Sequence, residues 1–143
     1  PTTYSKRVKN CHKITKDTPI KIKELERKID SQYTYQTLKY LQKHCSQIKF
    51  YWLMGSDNLI NFHKWQKWRC IFNEISIVIF KRHSYNNRAL KSTASKTFLH
   101  SQIKSRHLNQ TLFKNLPSWT WINNREIKIS STEIRQQRKL LRS

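Results

Sequence analysis

Hydrophobic and polar positions along this chain alternate between two periods. Tyr4, Val8, Cys11 and Thr15 recur at helical spacing, so the first turns of the chain predict a helix with one less polar face. "PIKIKEL", residues 19–25, then alternates apolar and polar residues and predicts a strand with Ile20 and Ile22 on one side. In "YTYQTLKYLQKHC" the helical period returns through Tyr35, Leu38, Leu41 and Cys45. "IKFYWLMG" is a continuous apolar run ending at Gly55, the only glycine of the chain. A helix is expected from Asp57 to about Phe72. "ISIVIF", residues 75–80, is a second apolar run rich in β-branched side chains. Runs buried on both faces are typical of parallel strands flanked by helices. Residues 84–118 are more polar and predict one or two helices between loops. "WTWI", 119–122, predicts the last strand, and residues 131–141 a closing helix.

The order β-α-β-α-β indicates an open, doubly wound, mainly parallel α/β sheet. Such sheets take ligands at the carboxyl ends of their strands. A chain with one glycine cannot build a glycine-rich phosphate loop of its own, so any phosphate must be held otherwise. The 143 residues suit one domain, 1–143, with a real core.

Charge changes the picture only in part. The net charge is +21, from 29 Lys and Arg against 8 Asp and Glu. That balance suits an anionic partner: a nucleotide, a nucleic acid or an acidic surface. The cations are spread along the whole chain with no dense block, and the richness in Lys, Ile and Asn fits compositional drift. Cys11, Cys45 and Cys70 are far apart and odd in number, which argues against a disulfide framework or a zinc site and fits a reducing cytoplasm. No apolar run is long enough for a membrane helix, and no membrane partner is expected.

Three stretches carry candidate chemistry. In "LMGSDNLINFHKWQKW", 53–68, Gly55 ends a strand where a residue without a side chain lets a ligand approach closely. Asp57 is placed as the helix N-cap, and Trp65 follows about two helical turns on. Asp57, Asn58 and Trp65 are therefore expected around one pocket, the first two for hydrogen bonds and the indole for an aromatic ring. An ordinary capped helix with a core tryptophan explains the same spacing. In "YTYQT", Thr34 is the expected cap, and the free N–H groups of that helix start suit a carboxylate. In "ISSTEIR", Ser130 and Glu133 match a capping box. Ser131, Thr132 and Arg135 then remain for a phosphate, or for nothing beyond a well-capped helix.

Taken together, "YTYQTL", "MGSDNLINFHKWQKW" and "ISSTEIR", in this order, resemble the bacterial nicotinate-nucleotide adenylyltransferases. "KRVKNCHKI" and "IKIKELE" fit the segment before the YT motif, so the resemblance runs over nearly the whole chain. It implies the Rossmann-like nucleotidyltransferase fold. It also implies AMP transfer from ATP, carried with Mg2+, to nicotinate mononucleotide, giving deamido-NAD and pyrophosphate in the cytoplasm. The resemblance assigns Thr34 to the nicotinate carboxylate, Asp57 with Gly55 and Asn58 to the pyridine nucleotide, and Trp65 to stacking on its ring. Ser131, Thr132 and Arg135 fall to the ATP phosphates, and Arg82, directly after "ISIVIF", is a further substrate-binding candidate.

There are two departures. Gln36 stands where the family usually has Asp. The family's N-terminal GGxFxPxHxGH segment, whose histidines stabilise the transferring phosphates, has no counterpart here. None of the six histidines lies in an H-x-x-H pairing. The expectation is the C-terminal three-quarters of such an enzyme, without its first strand and catalytic histidines, and inactive alone. A basic nucleic-acid-binding protein, or a nucleotidyltransferase with another acceptor, remains the alternative.

Overall fold

The structure is a computed structural model that describes residues 3–82, 84–105 and 115–123. Its centre is a four-stranded parallel sheet in the order β1-β2-β4-β3. The strands are β1 (Tyr51–Gly55), β2 (Ser76–Phe80), β3 (Gln102–Ile103) and β4 (Trp119–Ile122). The helices are α1 (Tyr4–Thr15), α2 (Leu25–Lys28), α3 (Thr34–His44), α4 (Ser56–Asn61), α5 (Trp68–Glu74), α6 (Asn86–Leu90) and α7 (Thr93–Thr97). Short 3-10 turns at Phe62–Lys64 and Leu99–Ser101 join them.

The register explains the core. Met54 pairs with Ile79, Ile77 with Trp119, and Ile79 with Trp121, so large apolar side chains line one face of three adjacent strands. Leu59, Phe62, Trp68, Ile71, Phe72, Ala89 and Ala94 close over that face from the helices. Ile77, Ile79, Phe62, Phe72 and Trp119 are fully buried. Trp119 also donates its Nε1–H to the Phe98 carbonyl at 2.7 Å, which satisfies the indole's one donor inside the core. The rings of Phe72 and Phe98 stack with centroids 4.2 Å apart.

β2 is buried along Ser76–Ile79, as expected of an inner parallel strand. β1 is not: Leu53 is 59% exposed, and only Met54 and Gly55 are buried. Among the described residues β1 pairs with β2 alone, so it is an edge strand and its apolar run is half covered.

Three other expectations are corrected. "PIKIKEL" forms no strand: residues 19–24 are irregular, α2 begins at Leu25, and Ile20 is 60% exposed. Alternation alone cannot make a strand without a neighbour to pair with. The helix expected from Asp57 to Phe72 is broken into α4, the 3-10 turn and α5. A straight helix over 57–72 would run about 24 Å, longer than the roughly 17 Å of a five-residue strand it must return along. The α-helical path ends at Asn61, Trp65 is extended at ψ 146°, and Lys67, in the left-handed region at φ 51°, precedes α5. Finally, 84–118 contains β3 in addition to its helices. Two residues are too few to show a period, and their place is set by pairing with Trp119 and Thr120. The closing helix expected over 131–141 lies outside the described residues.

Candidate functional site

The carboxyl ends of β1 and β2 lie side by side, Gly55 against Phe80. Beyond β1 the chain enters α4 at once, with Gly55 as the capping residue at φ −80°, ordinary extended backbone. Gly55 is needed for room instead. A methyl group there would overlap Asp57 Oδ1 and would lie 2.5 Å from Arg82 Nε. Arg82 follows β2, and its guanidinium crosses over Gly55 to meet Asp57, Nη1 to Oδ2 at 3.0 Å. The other carboxylate oxygen, Asp57 Oδ1, is buried without a hydrogen-bond partner.

Asp57 is thus not the N-cap expected from the sequence. It is the second residue of α4, and its carboxylate serves the strand-end arginine. The Arg82 backbone is fixed from three sides. Its N–H donates to Ser56 Oγ at 3.0 Å and to Asn86 Oδ1 at 3.1 Å, while its carbonyl accepts from the Tyr85 N–H at 3.2 Å. Sequence reasoning missed Ser56, which only the adjacency of β1 and β2 brings to the arginine, and Asn86, which meets it locally from the start of α6. Asn58 sits exposed on α4.

Trp65 occupies the turn between α4 and α5. It is half-buried, its ring 4.7 Å from Phe62 and 6.1 Å edge-on from Trp52 of β1. It therefore belongs partly to the core, and it is not on a continuous helix with Asp57.

The start of α3 reaches the same turn. Thr34 is its first helical residue, not its cap; Tyr33 holds the cap position, and no side chain caps the helix. The Tyr33 carbonyl accepts from the N–H groups of Gln36 and Thr37. Helical geometry gives the amides of Thr34 and Tyr35 no partner within α3. Gln36, at the position where the resembled family carries Asp, accepts from the Ser31 hydroxyl. Beside this helix start, Lys67 places its ammonium 4.7 Å over the Tyr35 ring. Lys67, which holds the cap position of α5 in the left-handed region, is a third residue that the sequence did not single out.

The structure so brings Gly55, Asp57 and Arg82 into one cluster and the Thr34 turn beside the Trp65–Lys67 turn. A cavity of about 200 Å3 lies at the amino ends of β1 and β2, lined by Leu38, Phe50, Glu74, Ser76 and neighbours. Ser131, Thr132 and Arg135 lie outside the described residues. Among the described residues no three His, Cys, Asp or Glu side chains converge as a metal site, and the three cysteines are free.

A parallel α/β sheet with a charged cluster beyond its strand ends puts the protein in the class of open α/β folds that take ligands there. Sequence comparison narrows the class. The sequence model of the cytidylyltransferase-like family matches residues 1–137, and the chain belongs to that family. It is 31% identical over 137 residues to a protein of Ruegeria sp. (strain TM1040), covering 96% of this chain and 72% of that one. It is 30% identical over 131 residues to one of Bradyrhizobium sp. (strain ORS 278), covering 92% and 68%. A protein of Agrobacterium fabrum is 31% identical over 133 residues, covering 93% and 71%. Each of these relatives is named a probable nicotinate-nucleotide adenylyltransferase. No helix among the described residues is long and apolar enough to cross a membrane.

Proposed function

We propose that this nucleotidyltransferase chain binds nicotinate mononucleotide and ATP for transfer of the adenylyl group. The mononucleotide's phosphate oxygen attacks the α-phosphorus of ATP, the bond to the β-phosphate breaks, and pyrophosphate leaves, with deamido-NAD as the other product. The observation that carries the reading is the agreement of three relatives named for that activity over more than nine-tenths of the chain. The cluster of Gly55, Asp57 and Arg82 at the carboxyl ends of β1 and β2 supports it.

In this reading the free amides at the start of α3 receive the nicotinate carboxylate, where the helix dipole favours an anion. Lys67 adds a positive charge beside them. Trp65 offers its ring to the pyridine, while Gly55, Asp57 and Asn58 border the nucleotide. Ser131, Thr132 and Arg135 would hold the ATP phosphates, and Mg2+ would arrive with ATP as part of that substrate. No residue of this chain supplies the paired histidines that stabilise a transferring phosphoryl group. These 143 residues on their own should therefore bind substrates without turning them over.

Titration calorimetry with nicotinate mononucleotide and with ATP tests the assignment. Trp65→Ala should weaken the mononucleotide by about 1–3 kcal/mol, the scale of base–aromatic stacking, and leave ATP nearly unchanged. Equal losses for both ligands would reduce Trp65 to a core residue. Pyrophosphate release at a robust rate from this chain alone would show that the paired histidines are dispensable.

The nucleic-acid alternative finds less support. Phe62, Trp68, Phe72 and Trp119 are buried in the core and offer no face to a base, while the exposed rings among the described residues include only scattered tyrosines such as Tyr4, Tyr33 and Tyr85.

A further inference from the structure

The Arg82–Asp57 pair is placed oddly for a structural ion pair. It spans the carboxyl ends of two strands, over the one glycine of the chain, with Arg82 59% and Asp57 29% exposed. Exposed pairs of this kind contribute little to stability. The contact engages one nitrogen of a guanidinium that carries five N–H donors in a planar fork. The arginine backbone is meanwhile held by Ser56, Asn86 and Tyr85. The side chain can swing while its root stays put. On the other side, Asp57 Oδ1 is buried with no donor, so the carboxylate is only half satisfied by the arginine.

We propose that Arg82 is the anion receptor of this site and that Asp57 is its counter-ion in the free protein, exchanged for an anionic oxygen of the incoming ligand. The inference rests on the reading that the strand ends are the ligand site, and it names the residue and the event that admit the ligand. The exchange is favourable because a bidentate, charge-assisted contact to a phosphate or carboxylate is stronger than a single exposed contact to Asp57. Asp57 keeps the guanidinium over Gly55. The absence of a side chain at Gly55 leaves the space the guanidinium lies in. Either the phosphate or the carboxylate of a pyridine mononucleotide could supply the oxygen.

The test is titration calorimetry at fixed ionic strength with three probes: inorganic phosphate, nicotinate mononucleotide and nicotinamide mononucleotide. Wild type, Arg82→Ala and Asp57→Asn are compared, with thermal melts to verify folding. Arg82→Ala should weaken at least one probe about tenfold or more, the loss of one charge-assisted contact. Asp57→Asn should tighten the same probe about twofold to fivefold, because the competing carboxylate is gone. Equal loss for both mononucleotides in Arg82→Ala assigns the phosphate, and a loss confined to the nicotinate form assigns the carboxylate. If inorganic phosphate shows the pattern and neither mononucleotide binds, the exchange stands and the substrate reading falls. Unchanged affinity for all three probes in Arg82→Ala, no binding of any probe by wild type, or a weakening in Asp57→Asn equal to that in Arg82→Ala overturns the proposal.

Discussion

Gly55 shows how a single residue acts through what it lacks. Its backbone is extended, so conformation does not require glycine, and the constraint is the crossing of Arg82 and Asp57 above it. Gly55→Ala should therefore displace the ends of two flexible side chains and leave the backbone in place. The expected cost is that of an exposed ion pair, below about 1 kcal/mol, measured by urea denaturation. A loss above about 3 kcal/mol would mean that the methyl group strains the strand itself. The same arithmetic applies to Trp65, whose contacts with Phe62 and Trp52 make it partly structural. Its substitution must be read from the difference between ligands, not from stability.

At the scale of elements, β4 is held by more than its ladder. Trp119 is fully buried and donates to Phe98 beside the 3-10 turn, while Thr120 Oγ1 donates to the Ile103 carbonyl at 2.6 Å. Trp119→Phe keeps most of the apolar volume and removes the donor. The Phe98 carbonyl keeps the Ser101 N–H at 3.0 Å but loses the indole donor, so stability should fall by about 0.5–1.5 kcal/mol in chemical denaturation, the worth of one hydrogen bond. No change would mean that water replaces the indole. In α7, Ser92 accepts from the Ser95 N–H at 3.3 Å as the N-cap. Ser92→Ala should cost about 1 kcal/mol by the same measurement, and a neutral result would show that so short a helix does not depend on its cap.

Over the whole molecule the net charge of +21 sets the response to salt. Self-repulsion destabilises a compact state, and raising salt from about 0.01 M to about 1 M shortens the screening length from roughly 30 to 3 Å. The melting temperature should rise accordingly; a fall would show that attractive pairs such as Lys39–Glu74 outweigh the repulsion. Alkaline pH acts through two groups. The hydrogen bond that the Lys39 ammonium donates to Glu74 raises its pKa above the ordinary 10.5, with burial opposing it. Burial raises Tyr51 above 10.0. In both cases the folded state keeps the proton longer than the unfolded state. Their contribution is complete below the ordinary values and is lost as pH rises past about 10. At high salt, where bulk repulsion is screened, melts should show this decline above about pH 10. A flat profile there would mean that neither group is coupled to folding.

Much of the molecule was readable from local pattern. β1, β2 and β4, the helix α3 and the parallel α/β class follow from apolar runs and helical spacing, which depend on neighbouring residues alone. The motif order pointed to the nucleotidyltransferase family for the same reason: its signature is written in contiguous stretches. Other features depend on residues far apart in the chain and were decided by the tertiary structure. "PIKIKEL" has the period of a strand, yet no described strand pairs with it. The helix expected through Trp65 is interrupted between Asn61 and Trp68 because the chain must turn back to reach β2. β3 exists only because Trp119 and Thr120 lie beside it. Asp57 looked like a cap and became the partner of Arg82, 25 residues away, because parallel pairing of β1 with β2 sets their ends side by side. Periodicity records which face of an element is apolar; which side chains meet is fixed by packing, which no local window contains.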